Sequence, residues 1–273
     1  MVDSAGISKP VIGILAGEAG KISRVMNRFL TPVTHGLLPR SAAPGQLSAD
    51  DINSMRKYLS VDFSTTFFLF GKPISSSPSP SRHNAAFQFC NFAAKYDKFE
   101  TASAEEALQQ LRSRGVGGGS VTIPLKQAVM PLLDALTPSA IKIGAVNTVR
   151  KTVTGALLGD NTDWEAIYHL IRAKIGGKNP TTLRGLVIGA GGTAHAACYA
   201  LLKLGMPFFI LNRTLKKAEE LAAKFGAVPV TDGTEAIADG KPIDVVVGTV
   251  PPSAQFTLPD KLVHKDLLFV ELV

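Results

Sequence analysis

Gly189-Ala-Gly-Gly-Thr-Ala194 is the stretch whose residue types and spacing most constrain the chemistry of this chain. Its pattern is G-x-G-x-x-A; the strand-like run Leu186-Val-Ile188 precedes it, and an apolar-faced helix is predicted from Thr193 to Leu204. In that setting Gly189 permits a tight turn, and Gly191 lets the backbone approach a pyrophosphate. Gly192 and Thr193 carry the chain into the helix, and Ala194 is small enough for close packing. The helix N-terminus offers unpaired N–H groups and a partial positive charge to a phosphate. A glycine turn that only reverses the chain is the competing explanation, but strand, loop, helix and a second strand in register favour a dinucleotide. That second strand, Phe208 to Leu211, ends in Asn212-Arg213-Thr214. NAD sites usually place an acid there for the ribose 2′-hydroxyl; Arg213 instead suits a 2′-phosphate, and Lys216 and Lys217 add positive charge. The expected cofactor is NADP.

Three further features could bind or react with a small anionic substrate. Ser75-Ser-Ser-Pro-Ser-Pro-Ser81 directly follows the strand Phe67-Phe-Leu-Phe70, so its hydroxyls and N–H groups could hold a carboxylate. A Ser/Pro linker would have the same composition. Thr122 and Lys126 lie on Ser120-Val-Thr-Ile-Pro-Leu-Lys126, where Pro124 fixes the turn and keeps Lys126 near the strand end. Asn161-Thr-Asp163 is a polar knot before Trp164, which an N-cap would also explain.

The elements that must position these residues alternate along the chain. A short strand is predicted at Val11-Ile-Gly-Ile-Leu15, and Ser48-Ala-Asp-Asp-Ile52 starts an N-capped helix. After the Phe67–Phe70 strand come helices from about Ser81 to Ala94 and from Ser103 to Ser113. Gly117-Gly-Gly119 leads into a strand Ser120–Ile123, more helix reaches about Asp134, and Ala145–Val149 is another strand. From Leu183 onward the order is β-α-β-α-β, with helices Thr193–Leu204 and Leu215–Phe225 and later strands at Val245–Val247 and Leu267–Val270. The fold class is therefore α/β: a substrate domain with a mostly parallel sheet, plus a Rossmann-type NADP-binding domain. The break at Gly176-Gly-Lys-Asn-Pro180 marks their boundary. The expected division is 1–60, a stretch too small to bury a core by itself, with a linker; 61–178, the substrate domain; and 179–273, the NADP-binding domain.

Composition narrows the function classes. The 273 residues are 45% hydrophobic and 19% charged, as in an ordinary globular protein. No apolar run is long enough to span a membrane, and the first residues lack a secretory layout, so the expected compartment is the cytoplasm. The formal net charge of +7 suits an anionic substrate and a phosphate-rich cofactor, and the basic residues are too dispersed to predict direct nucleic-acid binding. Cys90 and Cys198 lie far apart and the five histidines are scattered, so no metal site is expected.

Together these motifs resemble the shikimate dehydrogenase family. Gly71-Lys-Pro-Ile-Ser-Ser-Ser-Pro-Ser-Pro-Ser-Arg-His-Asn84 is similar to its G-x-P-I-x-H-S-x-S-P-x-x-H-N stretch, and Ser120–Lys126 to its N-V-T-x-P-x-K. Ile143-Gly-Ala-Val-Asn-Thr148 and Gly159-Asp-Asn-Thr-Asp163 match I-G-A-V-N-T and G-x-N-T-D, and the glycine loop and Asn212-Arg-Thr214 look like the family's too. The resemblance covers about Phe67 to Val273. It implies that Ser77 and Ser79 bind the substrate carboxylate, that Thr122 and Asn147 position ring hydroxyls, and that Lys126 and Asp163 form the catalytic pair, with substrate between two domains. Hydride transfer from an alcohol requires removal of the hydroxyl proton, which a lysine beside a carboxylate can handle. Ser76 stands where the family has His, Ser120 where it has Asn, and Ala166 where it often has Gly.

The first stretch resembles a different enzyme. Ser23-Arg24, Thr31-Pro-Val-Thr-His35 and Ala42-Ala-Pro-Gly-Gln46 look like the last part of a type I dehydroquinate dehydratase barrel, with Arg24 and Gln46 at substrate-binding positions. The lysine and histidine that do the chemistry in that family lie upstream of such a segment, and an eighth of a barrel cannot close, so no dehydratase activity is expected. A dehydratase running into a dehydrogenase is the arrangement of fungal arom proteins, and also resembles fungal quinate repressors. The family continues past the residues equivalent to Val270-Glu-Leu-Val273, so the third domain is expected to be C-terminally truncated. Two functions remain. One is an NADP-dependent shikimate dehydrogenase acting on shikimate and 3-dehydroshikimate, or quinate, within a longer polypeptide. The other is a regulator that binds such metabolites and represses transcription through a protein partner. Retention of both Lys126 and Asp163 favours the enzyme.

Overall fold

The computed structural model describes residues 12–27, 34–35, 37–39, 43–59, 65–251 and 254–272. It divides into two compact units, Met1–Thr122 with Val149–Leu158 and Ile123–Thr148 with Gly159–Val273. In chain order the elements begin with α1 (Lys21–Met26), α2 (Ala49–Tyr58), β1 (Thr65–Gly71), α3 (Ser79–Phe89), β2 (Ala94–Glu100), α4 (Ala104–Arg112) and β3 (Val116–Val121). They continue with α5 (Leu125–Ala128), β4 (Ala135–Leu136), α6 (Pro138–Ile143), β5 (Thr148–Lys151), β6 (Leu157–Asp160) and α7 (Asp163–Lys174). The last are β7 (Gly185–Ile188), α8 (Gly192–Leu204), β8 (Phe208–Leu211), α9 (Leu215–Phe225), β9 (Val228–Val230), β10 (Val245–Gly248) and β11 (Leu268–Glu271).

In the first unit, α1 and α2 share a small core of Val25, Leu47 and Ile52. Ser48 caps α2 as its sequence predicts: its hydroxyl accepts from the Asp51 N–H while the Asp51 carboxylate accepts from the Ser48 N–H. Arg24 is buried and its Nε donates to the Gly45 carbonyl at 3.0 Å, next to Gln46. The strand expected at Val11–Leu15 is not formed where it can be seen. Val11 lies outside the described residues, Ile12–Leu15 are irregular, and the backbone N–H and C=O of Gly13 bond to the Asn27 amide in place of a neighbouring strand. Thr31–Pro32–Val33 likewise lie outside the described residues.

The sheet of this unit runs β2-β1-β3-β5-β6, with β1 parallel to both β2 and β3. A turn from Thr152 to Ala156, with Gly155 at φ +86, joins β5 to β6. Two sequence expectations are corrected here. The helix predicted to Ala94 stops at Phe89, because Asn91 takes a positive φ of 48° and the chain re-emerges as the edge strand β2. Gly117-Gly-Gly119 are strand residues of β3, which ends at Val121 and not Ile123.

The second unit holds a wholly parallel five-stranded sheet ordered β11-β10-β7-β8-β9. Chain order reverses between β7 and β10, and such switch points open a crevice at the carboxyl ends of the strands. The helix α8 is buried along most of its length, from Ala194 to Leu204, against Val187, Ile210 and Val245 of the sheet and Leu221 and Phe225 of α9. The strand expected at Ala145–Val149 begins only at Thr148, because the N–H groups of Val146 and Asn147 bond to Lys126 and Asp160.

Candidate active site

In the first unit, the carboxyl ends of β1 and β3 present the expected substrate-binding hydroxyls. The chain leaves β1 at Gly71 and enters α3 at Ser79, and the Ser77 hydroxyl lies 3.1 Å from that of Ser79 and accepts from the Ser79 N–H at 3.3 Å. Both serines are half-buried at the start of an eleven-residue helix, whose first N–H groups have no intrahelical acceptor. Thr122 extends β3 by one residue, its N–H donating to the Phe70 carbonyl at 2.8 Å. Ser77, Ser79 and Thr122 thus share one end of one sheet.

Lys126, Asn147 and Asp163 meet in the second unit. Lys126 sits in the short helix α5, Asp163 opens α7, and the ammonium of one lies 2.6 Å from Oδ2 of the other. Their side chains keep 14% and 28% of their exposure, so the pair is partly desolvated yet reachable. Asn147 completes the knot: its Nδ2 donates to Asp163 Oδ1 at 2.7 Å and to Thr162 Oγ1 at 3.0 Å, while its Oδ1 accepts from the Thr162 N–H. Asn161 supports the turn, its Oδ1 accepting from the Asp163 N–H and its Nδ2 donating to the Ala145 carbonyl. The polar knot does open a helix, and its carboxylate is at the same time turned onto a lysine. A pocket of about 170 Å³ lies over the pair, lined also by Thr193, Ala166, Ile167 and Leu272.

The glycine loop belongs to the same unit. Gly189 has φ +114, and a Cβ there would lie 2.4 Å from Thr249 Oγ1, so this turn demands glycine beside the β7–β10 switch point. Gly191 is the N-cap of α8, and no described atom lies within 4 Å of where its Cβ would be, which leaves room for a phosphate at the helix N-terminus. Ala194 is fully buried. The Asn212 Nδ2 donates to the Thr214 carbonyl, Thr214 is the N-cap of α9, and Arg213, Lys216 and Lys217 are exposed. A second pocket of about 300 Å³ runs beside the loop, lined by Ala190, Lys217, Lys224, Glu220, His195 and Gln127. An open backbone cradle with basic side chains beside it fits a phosphate-rich dinucleotide.

Sequence reasoning passed over His195 and Lys224. Both hold the Ile143 carbonyl at the end of α6, His195 Nδ1 at 2.8 Å and Lys224 Nζ at 2.9 Å. A carbonyl only accepts, so Nδ1 carries the proton, and the neutral ring's Nε2 accepts from Gln127 Nε2 at 3.3 Å. Burial pushes the His195 pKa down, which keeps the ring in that neutral form, and burial also lowers Lys224. Burial raises the Cys198 thiol, which makes it an inert core residue.

The chain is similar to known proteins over most of its length. The chain matches the family models for the shikimate dehydrogenase substrate binding domain over residues 69–149 and shikimate / quinate 5-dehydrogenase over 172–252. Residues 2–62 match type I 3-dehydroquinase. It is 44% identical over 275 residues to the pentafunctional AROM polypeptide of Malassezia globosa, covering 95% of this chain and 17% of that protein. The chain thus spans about a sixth of the length of the curated relatives it matches. Among solved structures, the shikimate dehydrogenase of Aquifex aeolicus is 34% identical over 76% of this chain and 78% of that one, with a TM-score of 0.67. Shikimate 5-dehydrogenase of Thermus thermophilus, in complex with NADP(H) and shikimate, is 32% identical over 76% and 78%, with a TM-score of 0.63. From its site geometry and these likenesses, the chain belongs to the shikimate dehydrogenase family.

Proposed function

We propose that this chain is an NADP-dependent shikimate dehydrogenase module that interconverts 3-dehydroshikimate and shikimate within a longer arom-like polypeptide. The observation that carries this is the Lys126–Asp163 pair at 2.6 Å, held in the same unit as an intact glycine loop. Functionally, residues 61–178 are the substrate domain and 179–273 the NADP-binding domain, while 1–60 descend from a type I dehydroquinase. The relatives named above give no support to the regulator alternative.

Gly189, Gly191, Gly192, Thr193 and Ala194 would hold the pyrophosphate of NADP with their backbone, and Asn212, Arg213 and Thr214 its ribose 2′-phosphate; the chemistry such a cofactor would supply is hydride transfer. Ser77 and Ser79 bind the substrate carboxylate, and Thr122 a ring hydroxyl. Asn147 also serves the substrate, and its amide fixes the Asp163 carboxylate. Lys126 Nζ donates one N–H to Asp163 and one to Thr193, leaving a third for the substrate oxygen. In the ketone-reducing direction that N–H protonates the developing alkoxide; in the reverse direction the same nitrogen takes the hydroxyl proton.

The test is formation of NADPH by the purified protein with shikimate and, separately, with quinate. Shikimate-dependent turnover that prefers NADP over NAD, with the preference lost in Arg213→Asp, is the expected result. Binding of shikimate or quinate without turnover would contradict it.

A further inference from the structure

We propose that Thr193, a residue of the glycine loop, is a positioning residue for the Lys126 ammonium. This deepens the dehydrogenase assignment and rests on it. Nothing in the G-x-G-x-x-A pattern requires a hydroxyl at this position, where the loop offers the cofactor a backbone N–H. Yet Thr193 Oγ1 lies 2.9 Å from Lys126 Nζ, across 67 residues of sequence.

The rest of Lys126 is tied to the same place. Its carbonyl accepts from the Val146 N–H at 2.7 Å. Its stem crosses Gly192, where an added Cβ would stand 3.0 Å from Lys126 Cβ and 3.2 Å from Cδ. Gly192 therefore gives the lysine a bare backbone to lie against.

An ammonium group is tetrahedral, so one partner fixes its position but leaves it free to swing about that bond. Two partners, Asp163 at 2.6 Å and Thr193 at 2.9 Å, fix where the third N–H points. Orientation at the reacting atom carries much of the rate in such a step. The loop that cradles the cofactor would thereby aim the group that handles the proton.

Thr193→Val keeps the shape and the backbone N–H and removes the acceptor, whereas Thr193→Ser keeps the acceptor. The expected result for Thr193→Val is a kcat about tenfold lower with the KM for NADP within about twofold of the parent, and recovery to within about threefold in Thr193→Ser. An unchanged kcat, a loss confined to the KM for NADP, or no recovery with serine would overturn the proposal. A second readout needs no turnover. In the ligand-free protein, amine acylation mapped by mass spectrometry should modify Lys126 about threefold faster in Thr193→Val but not in Thr193→Ser, with Lys224 unchanged. Equal Lys126 rates in all three proteins would also overturn it. A parent protein that fails to turn over would count against the dehydrogenase assignment alone, and the acylation rates would still decide the role of Thr193.

Discussion

The β1–α3 and β7–α8 connections share a plan and differ in how they carry it out. Each leads from the carboxyl end of a parallel strand into a helix N-terminus. At β7–α8 the binding surface is backbone: Gly189 makes a turn that no side chain fits, and the helix behind it is buried against the sheet. At β1–α3 the binding groups are the Ser77 and Ser79 hydroxyls, and none of the described residues of α3 is buried. A backbone cradle depends on a rigid platform, since its donors cannot move independently of the fold. Hydroxyls at the start of an exposed helix can be changed one at a time.

That contrast makes ordered predictions. Gly189→Ala should weaken NADP binding by about 100-fold or more and destabilise the fold by about 2 kcal/mol, because the residue combines φ +114 with a 2.4 Å approach to Thr249. Isothermal titration and denaturant unfolding would measure both, and normal affinity would refute the cradle. In the helices, Leu201→Ala should cost about 3 kcal/mol of stability, whereas Phe89→Ala, at 93% exposure, should change it by less than about 0.5 kcal/mol. Equal losses in urea unfolding would erase the distinction between platform and cover. Ser77→Ala should raise the KM for shikimate about tenfold, the loss of one charge-assisted hydrogen bond, and leave the KM for NADP unaltered. A parallel rise in both would show that the two connections do not divide the work.

The smallest effect concerns pH. Burial depresses the His195 pKa, so below about 6.5 the unfolded chain binds a proton that the folded chain resists. Stability should therefore fall as pH drops through that value, and His195→Gln should remove part of the slope. An unchanged slope of melting temperature against pH would show that the ring is not held neutral.

The two connections also differ in how plainly the sequence announces them. The glycine loop is legible because its spacing, the preceding apolar strand and the following helix all act within some twenty residues of one another. The pairing of Lys126 with Asp163 is expected only through family resemblance, since nothing local joins residues 37 apart. β2 escapes recognition as a strand because Lys95, Asp97, Lys98 and Glu100 mask its alternation; an edge strand tolerates such charges, and Tyr96 is its one buried residue. The short edge strand β9, interrupted by Pro229, escapes recognition for a similar reason. His195 and Lys224 meet the Ile143 carbonyl from 52 and 81 residues away, and a hydrogen bond to a backbone oxygen leaves no residue-type signature on its partner. At the other end, the apolar run Ile12–Leu15 looks like a strand, but Gly13 bonds to the Asn27 amide and the Leu15 N–H donates to the Ser23 hydroxyl.

Steady-state turnover of shikimate with NADP by the parent protein and by Lys126→Ala tests the central claim most directly. Removing Lys126 should lower kcat by about 1,000-fold and leave NADP affinity within about twofold, since the lost group acts on the proton and the glycine loop remains. A Lys126→Ala protein that still oxidises shikimate at near the parent rate would contradict the assignment of Lys126 and Asp163 as the catalytic pair.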